Sequence, residues 1–491
     1  MAISTFGLRM AIRLSRPVPK EEKSEVPFSR KQMSGTHGYL FLLMGISMAT
    51  NLNTSLLTEK VFRCQNFANK CLVAYMFFIS VASFVALFLC ELDFSTMVMS
   101  EWMLVTSHSM HVLVGMFGNG MMARNLFILG YGINGALEAF ICFSAATVIS
   151  KLFLNSTYSL IYTGFPAGSI FLGTTQTILN RVVGTSTISQ MRKNLVLCHG
   201  SHVVLSTIAY LWVTLLYIKY GHFVKEDDKK DEGEENKTED EKKSESENKK
   251  LSVGQKILQT IESFKYARYY YSRLILVVCA YLLRYFFFPC LIPFVLDIPH
   301  HIKLIGSLSL TISEFISKLN TVGVNEAINP SEKDPSQSHD VFLLMRDAYL
   351  HFAMLASIGS SSFVLWSSLT GRYHFSKSPI FILCFILAMG ISYGYLSTRS
   401  INGCKSVLDY YTKQLDENGE PVVEEKVANG PGVSDVATLT INVAVLFISV
   451  FSDTTEGLIL KYKGSRAYIL NNSKGDLSIK AVDALLMQFK S

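Results

Sequence analysis

Charge is scarce in this chain: Asp, Glu, Lys and Arg make up 17% of its 491 residues, against 49% hydrophobic, and the mean hydropathy is +0.29. So little charge cannot clothe a water-soluble protein of this length. Paired cysteines are missing as well. The nine Cys show no CxxC spacing, and Cys90, Cys142, Cys198, Cys279, Cys290 and Cys384 fall inside apolar runs, which argues against zinc or a disulfide framework and for packing roles. The runs lack the strict alternation of a membrane β-barrel strand. A basic patch is absent too: the net charge of +6 is spread over tail and loops, so no nucleic-acid partner is expected. No nucleophile or acid stands at a recognisable spacing from the adjacent His300 and His301, and neither enzyme activity nor a cofactor is expected. At the N-terminus, Arg9, Arg13 and Arg16 interrupt the apolar residues that a cleavable signal peptide needs.

What the chain does have is a succession of apolar runs, each about long enough to cross roughly 30 Å of hydrocarbon as a helix. Spans are expected at 38–57, 70–91, 97–121, 126–150, 157–179 and 195–219, then at 271–296, 343–369, 378–398 and 434–460. The fold class is therefore an all-α polytopic membrane protein with six plus four transmembrane helices. The segment 302–319, "IKLIGSLSLTISEFISKL", is apolar at helical spacing but carries Glu314 and lysines. It reads as a helix lying at the membrane interface, with a fifth C-terminal span as the alternative.

Between the two groups of spans lies "KEDDKKDEGEENKTEDEKKSESENKK", with almost no apolar side chain to offset ordering entropy. The expected domains are a cytoplasmic N-terminal tail at 1–37, a six-helix bundle at 38–219, a charged, disordered cytoplasmic loop at 220–270, a C-terminal bundle at 271–460 and a C-terminal tail at 461–491. Arg13, Arg16, Lys20, Lys23, Arg30 and Lys31 mark the N-terminal side as cytoplasmic, although Lys60, Arg63, Arg181 and Arg192 then face outward against the usual bias.

Polar groups at membrane depth are the best functional pointers in such a sequence. Thr50, Asn51 and Asn53 sit inside the first span, where amides can hold a solute or bond to neighbouring helices. In the fourth span Asn134 and Glu138 share a face at i, i+4; the acid is a coupling or binding residue, or a structural carboxylate. The seventh span places Arg284 near its centre, ahead of Pro289 and Pro293, which kink a helix. That Arg either belongs to a solute pathway or pairs permanently with an acid such as Glu138. His108 and His111, like His199 and His202, repeat at i, i+3; they relay protons, bind metal or simply pack, and no carboxylate or Cys is spaced to complete a metal site. The eighth span is rich in hydroxyls, among them Ser360, Ser361, Ser367 and Ser368, and Arg372 follows as a topological anchor or as the wall of a cavity.

Several of these stretches together resemble the equilibrative nucleoside transporters. In that family the first span carries Leu-Leu-Pro-Trp-Asn after a glycine, and "GISMATNLN" matches with Asn53 at the Asn and Leu52 at the Trp. "NGA" from Asn134 fits the family's fourth span, "YTGFPAGSIFLGTTQTI" its small-residue fifth, and Phe288-Pro289 its seventh. The family's eighth span ends in Asn-x-x-Asp-x-x-Gly-Arg, whose Asp and Arg hold the ribose; here Gly371 and Arg372 are kept, with Leu365 at the Asn and Ser368 at the Asp.

The resemblance implies a major-facilitator-like two-bundle fold and a facilitative carrier of nucleosides or nucleobases. Leu52, Asn53, Asn134, Ser368 and Arg372 would bind substrate, and Glu138 and Arg284 would couple or gate. Expected partners are a small-molecule substrate and the lipid bilayer, in a multi-pass protein of the plasma membrane. The family's eleventh span has no counterpart after 460, which leaves truncation, a ten-span carrier or a protein that has lost transport. The alternatives for function are the same fold carrying another solute, such as an amino acid or a drug-like cation, and a degenerate membrane protein without transport.

Overall fold

The computed structural model describes residues 30–49, 58, 61–62, 67–90, 92–153, 155–230, 253–291, 300–328, 338–370, 378–411, 436–452, 454–455 and 458. After a two-turn lead-in, Arg30–His37, the described residues form α1 (Tyr39–Met48), α2 (Phe67–Leu89), α3 (Phe94–Phe117), α4 (Gly120–Leu152), α5 (Ser159–Val182) and α6 (Ile188–Lys230). The later helices are α7 (Val253–Leu282), α8 (His300–Ile328), α9 (Ser338–Thr370), α10 (Pro379–Tyr411) and α11 (Val436–Ser452). No strand occurs among the described residues. Stretches of six helices, α2, α4, α6, α7, α9 and α10, are by length and composition able to cross a membrane. Their outward sides carry large apolar side chains, Phe77, Leu215 and Phe352 among them at 51%, 66% and 71% exposure. Such a surface suits lipid and not water.

Local chemistry sets where these helices begin and break. Asp93 precedes α3 in extended backbone, and its carboxylate accepts the Thr96 N–H at 2.8 Å, satisfying a first-turn donor. Beyond α7 the chain winds as a π-helix over Leu283–Leu291. Pro289 has no N–H and cannot donate to a carbonyl of the preceding turn. The Ser452 hydroxyl of α11 donates to the Tyr285 carbonyl at 3.3 Å and reaches the Phe286 carbonyl at 3.4 Å. The kink expected from Pro289 thus takes the form of a π segment braced by a distant helix.

Two halves emerge from the packing. In the first, α2 lies against α4, α3 against α6 and α1 against α5; in the second, α8 lies against α10 and α7 against α10. The pairing of the second helix of each half with the fourth, α2 with α4 and α8 with α10, is what a repeated bundle gives. Both contacts use close backbone approach: a side chain on Gly135 would run into the Tyr75 backbone, and one on Gly390 into the Leu310 carbonyl. Across the divide, α5 meets α8 and α2 meets α7. Ser80 and Ser83 of α2 bond to Asn442 of α11, each at 2.8 Å. One apolar cluster spans this divide, joining Leu72, Tyr75, Met76 and Ile79 to Tyr281, Leu310, Tyr393 and Val445.

Two expectations change. The segment 302–319 is no surface helix: α8 has 29 residues, about 43 Å at 1.5 Å per residue, enough to cross the hydrocarbon. Its Leu310, Glu314, Lys318 and Thr321 are 0–5% exposed while Ile305, Ile316 and Leu319 stay open on the other side. An interfacial helix would turn its charges to water; this one turns them inward. The second half therefore holds five described helices. Regular helix also enters both ends of the 220–270 segment, since α6 runs to Lys230 and α7 starts at Val253; 231–252 lie outside the described residues.

Candidate solute cavity between the two halves

The charges buried on α8 have partners on other elements. Glu314 lies between two cations: its Oε2 accepts from Arg284 Nε at 3.2 Å and its Oε1 from Lys318 Nζ at 2.9 Å, one helical turn away. Side-chain exposure is 13% for Arg284, 5% for Lys318 and 6% for Glu314. Each charge is thus desolvated, and the opposite charges compensate one another at close range. Lys318 also donates to the Tyr162 carbonyl of α5 at 3.3 Å, a bond from one half to the other. It lies 5.2 Å from the centre of the Tyr393 ring, and the Arg284 guanidinium lies 5.6 Å from that of Tyr285.

These groups line one cavity of about 110 Å³, several times the ~10–15 Å³ that a single water needs. The first half contributes Tyr75 and Ile79 of α2, Glu138 of α4, and Tyr162 and Phe165 of α5. From the second half come Tyr281, Arg284, Tyr285, Glu314, Lys318 and Tyr393. The Tyr281 and Tyr393 rings meet edge to face at 5.6 Å, and Tyr281 stacks on Tyr285 at 5.9 Å, so the aromatic wall is continuous. Tyr158 and Tyr162 place their hydroxyls 3.3 and 3.1 Å from Thr438 Oγ1 and tie α5 to α11 beside it.

Among the residues singled out from the sequence, Glu138 and Arg284 face this cavity together. They do not form the ion pair considered above, because the acid on Arg284 is Glu314. One oxygen of Glu138, Oε2, is buried without a hydrogen-bond partner. Asn134 is buried at 6% exposure, its Oδ1 also without a partner, and it is not among the lining residues. Leu52, Asn53 and Arg372 lie outside the described residues, as does the side chain of Ser368. Glu314 and Lys318 do not stand out as site residues in the sequence, because a charge on a moderately apolar run reads as an interface. Their i, i+4 spacing next to Thr311 was the available signal.

No protein-family model and no curated protein matches the sequence. Comparison with solved structures finds the xylose transporter XylE from E. coli in its inward-open conformation, at TM-score 0.48 and 11% identity over 85% of this chain and 88% of that one. It also finds the major facilitator superfamily transporter FucP in the outward conformation, at TM-score 0.43 and 14% identity over 84% of this chain and 97% of that one. Likenesses of this size assign neither solute nor mechanism to the chain.

Proposed function

We propose that this protein is a plasma-membrane transporter of major-facilitator-like architecture that moves a nucleoside or nucleobase by alternating access, without covalent chemistry. One observation carries the reading: a cavity walled by both halves sets the Arg284–Glu314–Lys318 triad and the unpartnered Glu138 oxygen against tyrosine rings. Aromatic walls take a flat heterocycle by stacking, and a few charged groups orient its hydroxyls and amines. Rocking of one half against the other would break and remake the Lys318–Tyr162 and Tyr162–Thr438 bonds, each weak enough to yield on a transport cycle.

Along α8, Thr311, Glu314 and Lys318 set a hydroxyl, an acid and a base on the cavity wall. The acid and base would hold the sugar hydroxyls through charge-assisted hydrogen bonds. Arg284 and Glu138, on opposite sides of the cavity, would gate it.

Tritiated adenosine uptake into transport-deficient cells tests the proposal. Unlabelled adenosine and hypoxanthine in hundredfold excess are expected to suppress uptake, while amino acids leave it unchanged. No suppression by either purine removes the nucleoside reading. The opposed charges favour one alternative, an amino acid whose carboxylate meets Lys318 and whose ammonium meets Glu138; suppression by amino acids alone would establish that.

A further inference from the structure

Away from the cavity, inside the first half, α3 and α6 press four histidines together. His108 stacks on His202 with ring centres 4.5 Å apart, His111 stacks on His199 at 5.1 Å, and His108 and His111 are 6.3 Å apart. All four are 1–5% exposed. Gly130 of α4 makes room, since a side chain there would come within 2.7 Å of the His111 ring. The i, i+3 spacing on each helix is accounted for: it points both pairs at each other.

Their hydrogen bonding is incomplete in a consistent way. His108 Nε2 donates to the Ser47 carbonyl at 3.2 Å and His111 Nε2 to the Phe127 carbonyl at 3.3 Å; a carbonyl only accepts, so in both rings Nδ1 is left as a bare lone pair. Those two atoms are buried without partners, as are Nε2 of His202 and both nitrogens of His199. His202 bonds instead to the Ala49 main chain. Neutral rings thus leave four lone pairs and one N–H without partners. The described His, Cys, Asp and Glu side chains form no group of three or more that could hold a metal.

We propose that His108, His111, His199 and His202 form a proton-binding site within the first half, taking one proton onto an unpartnered ring nitrogen, with the resulting imidazolium lying against the face of the ring stacked on it. The proton comes from water and raises the cluster from neutral to a single positive charge. What stabilises it is the end of α1: Ser47 and Ala49 turn their main chain to the rings, and the C-terminal end of a helix favours a cation. The titratable groups packed nearby are Tyr131 of α4, in ring contact with His111 and His199, and Cys198 of α6, also buried. On α3 the nearest acid in sequence is Glu101, two turns before His108, fully buried with both oxygens unpartnered. From the end of α1 the recorded bonds to the rings are main-chain ones, at Ser47 and Ala49.

Coupling to the solute follows from one residue. Ala49, bonded to His202, also lines the central cavity. A charge gained at the histidines tightens the hold on the end of α1 and so alters that wall, which makes proton and solute occupancy reciprocal. This part rests on the transporter reading above; the binding site itself does not.

Two measurements separate them. With ring-labelled histidine in lipid nanodiscs, NMR from pH 9 to pH 4 is expected to show the four cluster resonances moving together in one step. His199→Phe keeps an aromatic ring of similar size and removes two nitrogens. It should shift the midpoint for the other three at least tenfold in proton concentration while circular dichroism stays unchanged; His202→Gln should do the same. Four unmoved resonances, or four independent steps insensitive to either change, would overturn the site. In proteoliposomes an inward proton gradient should raise adenosine uptake severalfold for the wild type and not for His199→Phe. Equal stimulation of both would overturn coupling. Absence of any adenosine uptake overturns the nucleoside reading alone and leaves the NMR result to decide the site.

Discussion

Glu314→Gln is expected to abolish uptake and to destabilise the protein by about 3–5 kcal/mol, read from unfolding in an SDS titration. The amide fills the same volume, so packing is preserved and the change is one of charge. Without the carboxylate, Arg284 and Lys318, at 13% and 5% side-chain exposure, become two cations in a space with little water. Removing one partner from a buried ionic group typically costs that much, because the remaining charges lose compensation that solvent cannot replace. Replacing the whole triad with Arg284→Met, Glu314→Leu and Lys318→Met should return stability to near or above the wild-type value, as apolar substitutes for buried ion groups often do. Uptake should stay absent in that triple variant. Recovery of both would mean the triad merely holds helices together, and an unchanged midpoint for Glu314→Gln would mean the charges are not desolvated as the structure describes.

How far the sequence revealed this arrangement depends on where the information is stored. The spans that became α2, α4, α6, α7 and α10 were legible because lipid demands a long apolar surface, and that demand is met residue by residue along the chain. The depth of α8 was not. Its Glu314 and Lys318 lower the local apolar character, and what makes them tolerable inside the bundle is Arg284, thirty residues away, together with the Tyr162 carbonyl on the other half. No window along one helix contains those partners. The same holds for Arg284, whose burial was legible from a lone charge in an apolar run while the identity of its acid was not. For the histidines, spacing showed that each pair shares a face, and only packing showed that the faces meet. Asn134 illustrates the converse: an amide four residues from Glu138 reads as part of the same site, yet small differences in rotation about α4 leave Glu138 in the cavity wall and bury Asn134 beside it.

The crossing of α1 and α5 should prove as intolerant as the ion triad, for a steric reason. A side-chain carbon on Gly45 would run into the Ile161 carbonyl oxygen and stand 2.8 Å from the Gly164 Cα; on Gly168 it would meet the Ala49 Cβ and come within 3.0 Å of the Ile46 Cα. The obstacles are mostly backbone, and backbone cannot rotate out of the way as a flexible side chain can. Gly45→Val therefore has to push the two helices apart, and overpacking of this kind costs about 1–3 kcal/mol, more where no rotamer relieves it. The displaced helices carry Ala49, Tyr162 and Phe165 into the cavity wall, so uptake should fall with stability and not independently of it. Gly35 is the matching control, since a side chain there meets nothing within 4 Å; Gly35→Ala should leave uptake unchanged and add up to about 1 kcal/mol through helix propensity. A Gly45→Val protein that transports normally would show that α1 and α5 do not touch as described, and the cavity they help to enclose would have to be redrawn.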